Sequence, residues 1–277
     1  MQASAVKHIK MTRVTQKGML ETDDQLAVEE PLEILVVYGG AGDRITKVIS
    51  VTMRTPGNDE ELAAGFLFTE GIINNREQVA SVQPDDEDEN KVMVTLCDAA
   101  VPHLQTAERN FYTTSSCGVC GKSGIDAIKT VSIYAQQDDT MKVSVAVLYG
   151  LPIALKKQQE LFASTGGLHA SSLFDADGNL LMLREDVGRH NALDKVIGAC
   201  FLKNHLPLHS TILLLSGRAS FELIQKASMA GIKIIASIGA PSSLALQQAE
   251  EFGITLIGFL GNEKFNIYSA SHRVVFE

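Results

Sequence analysis

The stretch at residues 211–260, TILLLSGRASFELIQKASMAGIKIIASIGAPSSLALQQAEEFGITLIGFL, decides the fold of this chain. Three apolar runs that are typical of strands alternate with two segments that have helical spacing: 211–215, 220–229, 232–238, 243–251 and 254–260. A short run that is apolar without alternation indicates a strand buried on both faces. Because the links are short, this β-α-β-α-β order predicts an α/β layered sheet that is largely parallel here.

The chain before this stretch is more mixed. Its predicted elements are a strand-like arm at 1–28, a hairpin at 33–38 and 44–53, a helix at 60–69, a strand at 91–96, a hairpin at 167–174 and 180–184, and a helix at 189–203. Asn58 and Glu61 have the spacing of a capping box, and Gly71 suits the end of the same helix. The fold class is therefore α/β with α+β elements at the N-terminus. We expect a smaller β-rich part at 1–140 and an α/β part at 141–277.

Composition excludes several classes of protein. The 277 residues are 45% hydrophobic and 21% charged, which is typical of a globular domain rather than a disordered chain. The net charge of −9, to which a solvated acidic run at 85–89 contributes, argues against nucleic-acid binding. No apolar run is long enough for a membrane span, and residues 1–20 lack the apolar core of a secretory signal. We therefore expect a cytoplasmic protein.

Small and polar residues follow each strand of the decisive stretch. They are Ser216, Gly217 and Arg218 after the first strand, 239–243 after the second, and Phe259, Leu260, Gly261, Asn262, Glu263 and Lys264 after the third. Ligands of open α/β sheets bind beyond the carboxyl ends of the strands, and helix N-termini attract phosphate. This pattern indicates either a nucleotide or pyrophosphate shelf, or merely the small residues that tight turns need.

A dense group of polar residues occupies 184–190, at the start of a predicted helix. Asp186 can cap that helix, and Arg189 can pair with a phosphate or with Asp186. His190 and His169 either touch a ligand or are ordinary hydrogen-bonded histidines. The residues alone leave these alternatives open.

Cys117 and Cys120 form the chain's single CxxC pair, and four interpretations apply to it. Structural zinc lacks a second ligand pair, and a base-deaminase site lacks both its HxE motif and the proline that Ser116 replaces. The segment from Ser116 to Ser123 resembles a P-loop without its first glycine. Thiol chemistry is the fourth interpretation, since a helix N-terminus and Lys122 would stabilise a thiolate. The other two cysteines, Cys97 and Cys200, are expected to be buried and inert.

Five segments together resemble the FdhD/NarQ family: EEPL at 29–32, LAAGFLFTEG at 62–71, CGVCG at 117–121, EDVGRHNALDK at 185–195 and SGRAS at 216–220. The resemblance spans about residues 28–265. It implies a core similar to the cytidine-deaminase fold, a homodimer, and a sulfur carrier needed for formate dehydrogenase activity.

The resemblance also implies a reaction and its site. A sulfurtransferase of this family takes sulfur from a cysteine desulfurase as a persulfide, on the position of Cys117 with Cys120 assisting. It passes the sulfur to molybdenum bis(molybdopterin guanine dinucleotide) before insertion into the formate dehydrogenase apoenzyme. The cofactor-contact segment of the family falls on 259–264, where Lys264 stands in place of the usual arginine and keeps the charge without the bidentate fork.

The residues themselves add further candidates to that implied site. Arg189, His190, Ser216, Gly217 and Arg218 would join the cofactor-contact segment, and a free guanine nucleotide would occupy the same place. No resident metal is expected. Two alternatives stay open, a non-catalytic chaperone that binds the guanine dinucleotide and a P-loop-like nucleotide hydrolase that depends on Lys122.

Overall fold

The computed structural model describes residues 4–104, 134 and 140–276. Its N-terminal elements are β1 (Val6–Thr15), β2 (Gly18–Ala27), β3 (Glu30–Tyr38), β4 (Ile45–Arg54), α1 (Asp59–Thr69), β5 (Val79–Pro84) and β6 (Lys91–Leu96). The C-terminal elements are β7 (Val143–Ser144), α2 (Val145–Gln158), α3 (Glu160–Thr165), β8 (His169–Phe174), β9 (Leu180–Asp186), α4 (Arg189–Leu202), β10 (Ile212–Leu215), α5 (Phe221–Met229), β11 (Ile234–Ser237), α6 (Ser243–Glu251), β12 (Thr255–Gly258), β13 (Asn266–Ser269) and β14 (Val274–Val275). Short 3₁₀ turns cover Arg76–Gln78 and Ser271–Arg273.

The N-terminal part is rich in β-structure, as predicted. The arm at the start of the chain is a regular antiparallel hairpin of β1 and β2. The next four strands form one sheet in the order β4-β3-β6-β5, in which β3 and β6 run parallel. Alternate residues of β3, at Leu32, Ile34 and Val36, are fully buried and form the inner face of this sheet.

The capping box predicted for α1 is wrong. Asn58 adopts a left-handed conformation at φ 57°, and its side chain makes no capping hydrogen bond within the part of the chain that the structure describes. Glu61 is engaged elsewhere, because its carboxylate accepts hydrogen bonds from the Arg184 guanidinium at 2.6 and 2.8 Å. The predicted end of the helix is confirmed, since Gly71 follows it with φ 71°.

The C-terminal sheet is parallel at its centre, as predicted for 211–260, and antiparallel at its edges, so the sheet as a whole is mixed. Its order is β13-β12-β11-β10-β8-β9, and parallel pairing within it is confined to β10, β11 and β12. β8 and β9 form a hairpin, and β13 returns from β12 through a short loop, so these outer strands pair antiparallel. Two neighbouring strands can run parallel only if a long crossover connects them, and these links are too short for that.

Helices α1 and α4 join the two sheets. They cross where Gly65 faces the backbone of Asp194 and Gly198 faces the backbone of Glu61. One hydrophobic cluster runs through both parts of the chain, from Leu32 and Leu62 to residues of α4 and β10. The domain boundary near residue 140 stays a prediction, because the neighbouring residues 135–139 lie outside the described ones. Among the described helices, none has the length and apolar character that a membrane crossing needs.

Candidate functional site

A cavity of about 320 Å³ lies at the carboxyl edge of the parallel strands, where the sequence predicts a ligand shelf. We call it the arginine cavity. Its lining comes from the first residue of α4 and from the loops after β10 and β11: Arg189, Arg218, Ala219, Ser220, Ala240, Pro241 and Ser242. The structure therefore brings two of the predicted cofactor-binding residues, Arg189 and Arg218, to one site.

The loops around this cavity are held together by their backbones. The Gly239 N–H donates to the Gly217 carbonyl at 2.9 Å, and the Ala219 N–H donates to the Ala240 carbonyl at 3.2 Å. A Cβ on Gly239 would lie only 2.9 Å from Cγ of Arg218, so glycine permits this close approach. The small residues thus serve tight turns and shape a shelf at the same time.

Three helices, α4, α5 and α6, begin at the arginine cavity, and the N-termini of α5 and α6 differ. The Ser242 hydroxyl accepts from the Ala245 N–H at 3.1 Å and caps α6. The Ser220 hydroxyl stands at the same position of α5 and makes no such bond within the described chain. The first N–H groups of α5 are therefore not capped by this side chain, and a helix N-terminus of this kind favours an anion.

Three buried polar atoms at or next to the arginine cavity have no hydrogen-bond partner among the described residues. They are Nε of Arg189, Nε2 of His190 and the hydroxyl oxygen of Ser220. Buried polar groups are nearly always satisfied in folded proteins. Two guanidinium groups and a helix N-terminus form a set of donors that suits a phosphate or diphosphate group.

The two histidines near the cavity are uncharged at neutral pH. Burial, together with the cations of Lys226 and Arg189, lowers the pKa of His190 to about 3, and the Glu222 carboxylate lies 3.9 Å from Nε2. Burial also lowers the pKa of His169, together with Arg189, although Asp186 opposes this effect. Both rings can therefore donate or accept hydrogen bonds without adding positive charge.

Ser216 and Gly217 connect β10 to β8. The Ser216 hydroxyl accepts from the Ala170 N–H at 2.8 Å, and the Ser216 N–H donates to the Ala170 carbonyl at 3.0 Å. A Cβ on Gly217 would lie 3.3 Å from Nδ1 of His169, so the glycine makes room for this ring. These contacts give both residues a structural task at the edge of the cavity.

The predicted cofactor-contact segment at 259–264 leaves β12 in a tight turn. Phe259 has φ 54° and is 49% exposed, whereas Leu260 is buried. The N–H groups of Leu260 and Gly261 donate to the carbonyls of Ser237 and Lys264, both at 3.0 Å. Because these N–H groups are used within the protein, the exposed side chains of Asn262, Glu263 and Lys264 are what the segment offers to a ligand.

Glu263 and Lys264 line a second cavity, of about 620 Å³, which we call the aromatic cavity. Its other lining residues come from α2, from the chain around β13 and from the end of β14: Val145, Tyr149, Phe265, Asn266, Ile267 and Phe276. Of the predicted cofactor-binding residues, Arg189 and Arg218 thus line one cavity and Glu263 and Lys264 line the other.

Asp186 does not act as predicted. It neither caps α4 nor pairs with Arg189, because the cap position belongs to Gly188 and the carboxylate lies 2.7 Å from Nζ of Lys195. The carboxylate also accepts from the N–H groups of Gly188 at 2.8 Å and Thr55 at 3.1 Å. Burial raises the pKa of Asp186, and Lys195 opposes that rise. This pair attaches the start of α4 to the N-terminal sheet, and Arg189 lines the cavity.

Sequence reasoning missed a second buried ion pair that joins α1, α4 and α5. The Lys226 ammonium lies 2.9 Å from the Asp194 carboxylate and 3.3 Å from the Glu70 carboxylate, and it donates to the Thr69 hydroxyl at 2.9 Å. The one available signal is that Asp194 and Lys226 interrupt otherwise apolar helix faces. That signal does not predict that the two residues pair with each other, because the pairing depends on how the helices cross.

The four cysteines divide into two groups. Cys117 and Cys120, like Lys122, lie outside the described residues. Cys200 is buried, as predicted, and burial raises the pKa of its thiol to about 11. The prediction for Cys97 is wrong, because this thiol is only half-buried, at the end of an edge hairpin where it donates to the Glu77 carbonyl at 3.2 Å. Within the described residues, no three His, Cys, Asp or Glu side chains form a group that could hold a metal.

Comparison with known proteins agrees with the resemblance seen in the motifs. The sequence profile of the FdhD/NarQ family matches residues 27–275. The sulfur carrier protein FdhD of Mycolicibacterium paratuberculosis is 49% identical, over 96% of this chain and 97% of its own length. The proteins of the same name from Mycobacterium tuberculosis and Picrophilus torridus are 44% and 46% identical, over 98% and 91% of this chain and 99% and 92% of their own lengths.

One solved structure shares the whole fold. It belongs to a protein from Desulfotalea psychrophila that is assigned as a formate dehydrogenase accessory protein. The TM-score is 0.76, and the match covers 98% of this chain and 100% of the other at 24% identity. At that identity the likeness shows the fold alone.

Proposed function

Because the chain belongs to the FdhD/NarQ family, we propose that it carries sulfur from a cysteine desulfurase to the guanine-dinucleotide form of the molybdenum cofactor, for formate dehydrogenase. One observation carries this proposal, namely the near full-length identity to relatives named sulfur carrier protein FdhD. The arginine cavity supports the acceptor half of the reaction, since it offers two guanidinium groups to an anionic ligand in a chain of net charge −9.

The first step loads sulfur onto Cys117. Its thiolate attacks the terminal sulfur of the desulfurase persulfide, and the desulfurase thiolate leaves with the electron pair of the old S–S bond. One S–S bond forms as another breaks, so the step needs no outside oxidant. A thiolate is the reactive species, and the helix N-terminus that the sequence predicts there, together with Lys122, would favour it.

The second step releases sulfur to the acceptor. The Cys120 thiolate attacks Sγ of Cys117, and the terminal sulfur leaves as hydrosulfide with the electron pair. The product is a disulfide between Cys117 and Cys120, which a cellular dithiol must reduce before the next cycle. The acceptor is held meanwhile by Arg189, Arg218 and the N-terminus of α5, which bind its anionic diphosphate groups.

A second candidate function rests on the same cavity. A non-catalytic chaperone would also need two arginines and a helix N-terminus to hold the guanine dinucleotide and would not need the cysteines. The arginine cavity lies on elements that are complete without Cys117 and Cys120, so it serves either candidate. The behaviour of the two thiols separates them.

The deciding experiment is intact mass spectrometry after incubation with a cysteine desulfurase, pyridoxal phosphate and cysteine. The carrier gains one sulfur atom that a reductant removes. Cys117→Ala abolishes the gain, whereas Cys200→Ala, the change of a buried and unreactive thiol, preserves it. An unmodified mass beside a demonstrably active desulfurase contradicts the carrier. In a strain that lacks the gene, full recovery of formate dehydrogenase by Cys117→Ala would indicate the chaperone.

The acceptor half is tested by binding. We expect Arg218→Ala to weaken binding of inorganic pyrophosphate by roughly ten- to a hundredfold, because a charge-assisted hydrogen bond is lost. Arg13→Ala removes an exposed arginine from the N-terminal hairpin and is the matched control. Equal affinities of the two variants would contradict a phosphate site at the arginine cavity.

A further inference from the structure

The hairpin of β1 and β2, which we call the arm, is separate from both large sheets. It forms a two-stranded sheet of its own, and its ten paired rows give it a length of about 30 Å. Helix α3 packs on the base of the arm, where a Cβ on Gly167 would lie 3.9 Å from Cβ of Ala27. A two-stranded hairpin alone is at best marginally stable in water, so the outer part of the arm needs a further surface to pack on.

The outer half of the arm, which we call the tip, is exposed on both faces. Every residue from 12 to 21 is exposed. Val14 and Met19 lie opposite each other across the strands and are 67% and 78% exposed. Leu20 is 67% exposed on the other face of the hairpin. Large apolar side chains that are grouped and exposed in this way mark an interaction surface.

The tip is basic, although the chain is acidic. Residues 11–20 include two cations and no carboxylate, whereas the whole chain has a net charge of −9. Lys17 lies in the turn between the two strands, is exposed, and has no ion-pair partner within the described part of the chain. The complementary surface for such a tip is acidic and concave.

This chain has a surface of that kind itself. It is a cavity of about 860 Å³, which we call the acidic cavity. Its lining comes from the start of α1 and from the link between β5 and β6: Gly57, Asp59, Glu60, Pro84, Asp85, Asp86, Glu87, Asp88, Glu89 and Asn90. Seven of these residues are carboxylates, so the cavity suits a cationic partner.

Most of the acceptors in the acidic cavity are unmatched by the chain's own cations. Asp59 lies 3.0 Å from Nη2 of Arg54, and Asp88 lies 3.4 Å from Nζ of Lys91. The other five carboxylates form no ion pair with the described residues: Glu60, Asp85, Asp86, Glu87 and Glu89. The side-chain oxygen of Asn90 is buried and also has no hydrogen-bond partner among the described residues. Buried acceptors are nearly always satisfied in folded proteins, so this one indicates a donor from outside.

The acidic cavity adjoins the base of the arm. Glu30 begins β3 three residues after β2 ends, and it pairs with Arg54 of β4. The Arg54 guanidinium is fully buried and donates to the Asp59 carboxylate at 3.0 and 3.1 Å and to the Glu89 carbonyl at 3.3 Å. The tip and the cavity therefore lie at opposite ends of the arm, and the tip does not reach the cavity of its own chain.

We propose that two copies of this chain lie with their arms antiparallel, so that the tip of each arm enters the acidic cavity at the base of the other. A two-fold axis across the arms produces the contact twice, because tip and base exchange places. Lys17 then meets carboxylates, and the partner's arm covers Val14 and Met19. The family resemblance implies a homodimer and assigns no surface to it, whereas the arm and the acidic cavity are definite surfaces.

Sedimentation equilibrium of the full-length protein measures the dissociation constant of this dimer. Lys17→Glu raises the constant by about tenfold, because two attractions in each dimer become two repulsions. Lys157→Glu makes the same change of charge at an exposed position of α2 and leaves the constant within about twofold of the wild type. Met19→Ser also weakens the dimer by about tenfold, and it does so at high salt as well, since salt does not screen apolar burial.

A charge swap identifies the surface that receives the tip. Glu87 is exposed in the acidic cavity, so Glu87→Lys leaves the fold intact and weakens the dimer as Lys17→Glu does. The double variant that carries both changes returns the constant to within about threefold of the wild type. Circular dichroism verifies that each variant is folded.

Three results would overturn the inference. A wild-type chain that stays monomeric at its highest soluble concentration would show that the arms do not bind each other. A Lys17→Glu variant with the same constant as Lys157→Glu would show that a dimer uses other surfaces. A double variant that dissociates more readily than either single variant would show that the tip does not enter the acidic cavity.

Discussion

The crossing of α1 and α4 predicts that Gly65→Ala is strongly destabilising. A Cβ at Gly65 would lie 1.9 Å from the Asp194 carbonyl oxygen, against at least 3.4 Å for an ordinary contact. Relief therefore requires the helices to separate by about 1.5 Å. Overpacking a core costs about 1–3 kcal/mol where side chains can yield. Here the obstructing atoms are backbone, so we expect a loss of about 3 kcal/mol or more in the free energy of unfolding.

Urea unfolding followed by circular dichroism measures this loss. Gly150→Ala is the matched control, because Gly150 lies inside α2 and a Cβ there would meet nothing within 4 Å. Alanine is the better helix former, so this control should gain about 0.5–1 kcal/mol. A Gly65→Ala variant that loses less than about 1 kcal/mol would refute the reasoning. Because α4 begins at Arg189, a Gly65→Ala chain that still folds should also bind pyrophosphate more weakly.

Three further predictions concern buried groups. Burial lowers the pKa of His190 to about 3 from 6.5, so the unfolded chain takes up a proton that the folded chain does not, and stability falls as pH drops below 6.5. At pH 4.5 this costs about 3 kcal/mol, which His190→Gln should abolish in urea titrations at pH 4.5 and 7; the same pH dependence in both proteins would contradict it. Lys226→Met leaves the Asp194 carboxylate buried without its counter-ion and should cost about 3–5 kcal/mol, whereas Lys203→Met at an exposed position should be nearly neutral in the same assay. With a pKa of about 11, the Cys200 thiol should resist iodoacetamide at pH 8 in the folded chain and react in urea. Peptide mass mapping measures the labelling, and rapid labelling of Cys200 in the native chain would contradict its burial.

The sequence predicts the centre of the C-terminal sheet and the β8–β9 hairpin at one edge well, and the β13 edge poorly. The strands β10, β11 and β12 are short, continuous apolar runs, a pattern that indicates strands buried on both faces. The bounds of α6 agree with the prediction of a helix at 243–251. β13 is only four residues long and mixed in character, so its local pattern does not fix its direction. Whether β8 and β13 pair parallel or antiparallel depends on which strand lies beside each of them, and tertiary packing determines that neighbour.

The candidate site was predictable in position and only partly in contacts. The carboxyl ends of parallel strands lie at one edge by geometry, so Arg218 and the loop at 239–243 could be placed there from sequence. Arg189 enters the same cavity because Asp186 is engaged by Lys195, and that choice follows from where α4 meets the N-terminal sheet. No local sequence pattern shows whether the buried Asp186 carboxylate forms an ion pair with Arg189 or with Lys195.

The motif at 184–195 shows how far a dense polar segment can serve the frame rather than the chemistry. Most of its polar side chains have partners inside the protein: Arg184 binds Glu61, Glu185 accepts from the first N–H groups of α3, Asp186 binds Lys195, Asn191 donates to the Met53 carbonyl, and Asp194 binds Lys226. Arg189 and His190 keep polar atoms that the described residues do not satisfy. Loss of activity on changing Asp186 or Asp194 would therefore report on the position of α4. Only a change at Arg189 or His190 that preserves the free energy of unfolding would report on the ligand itself.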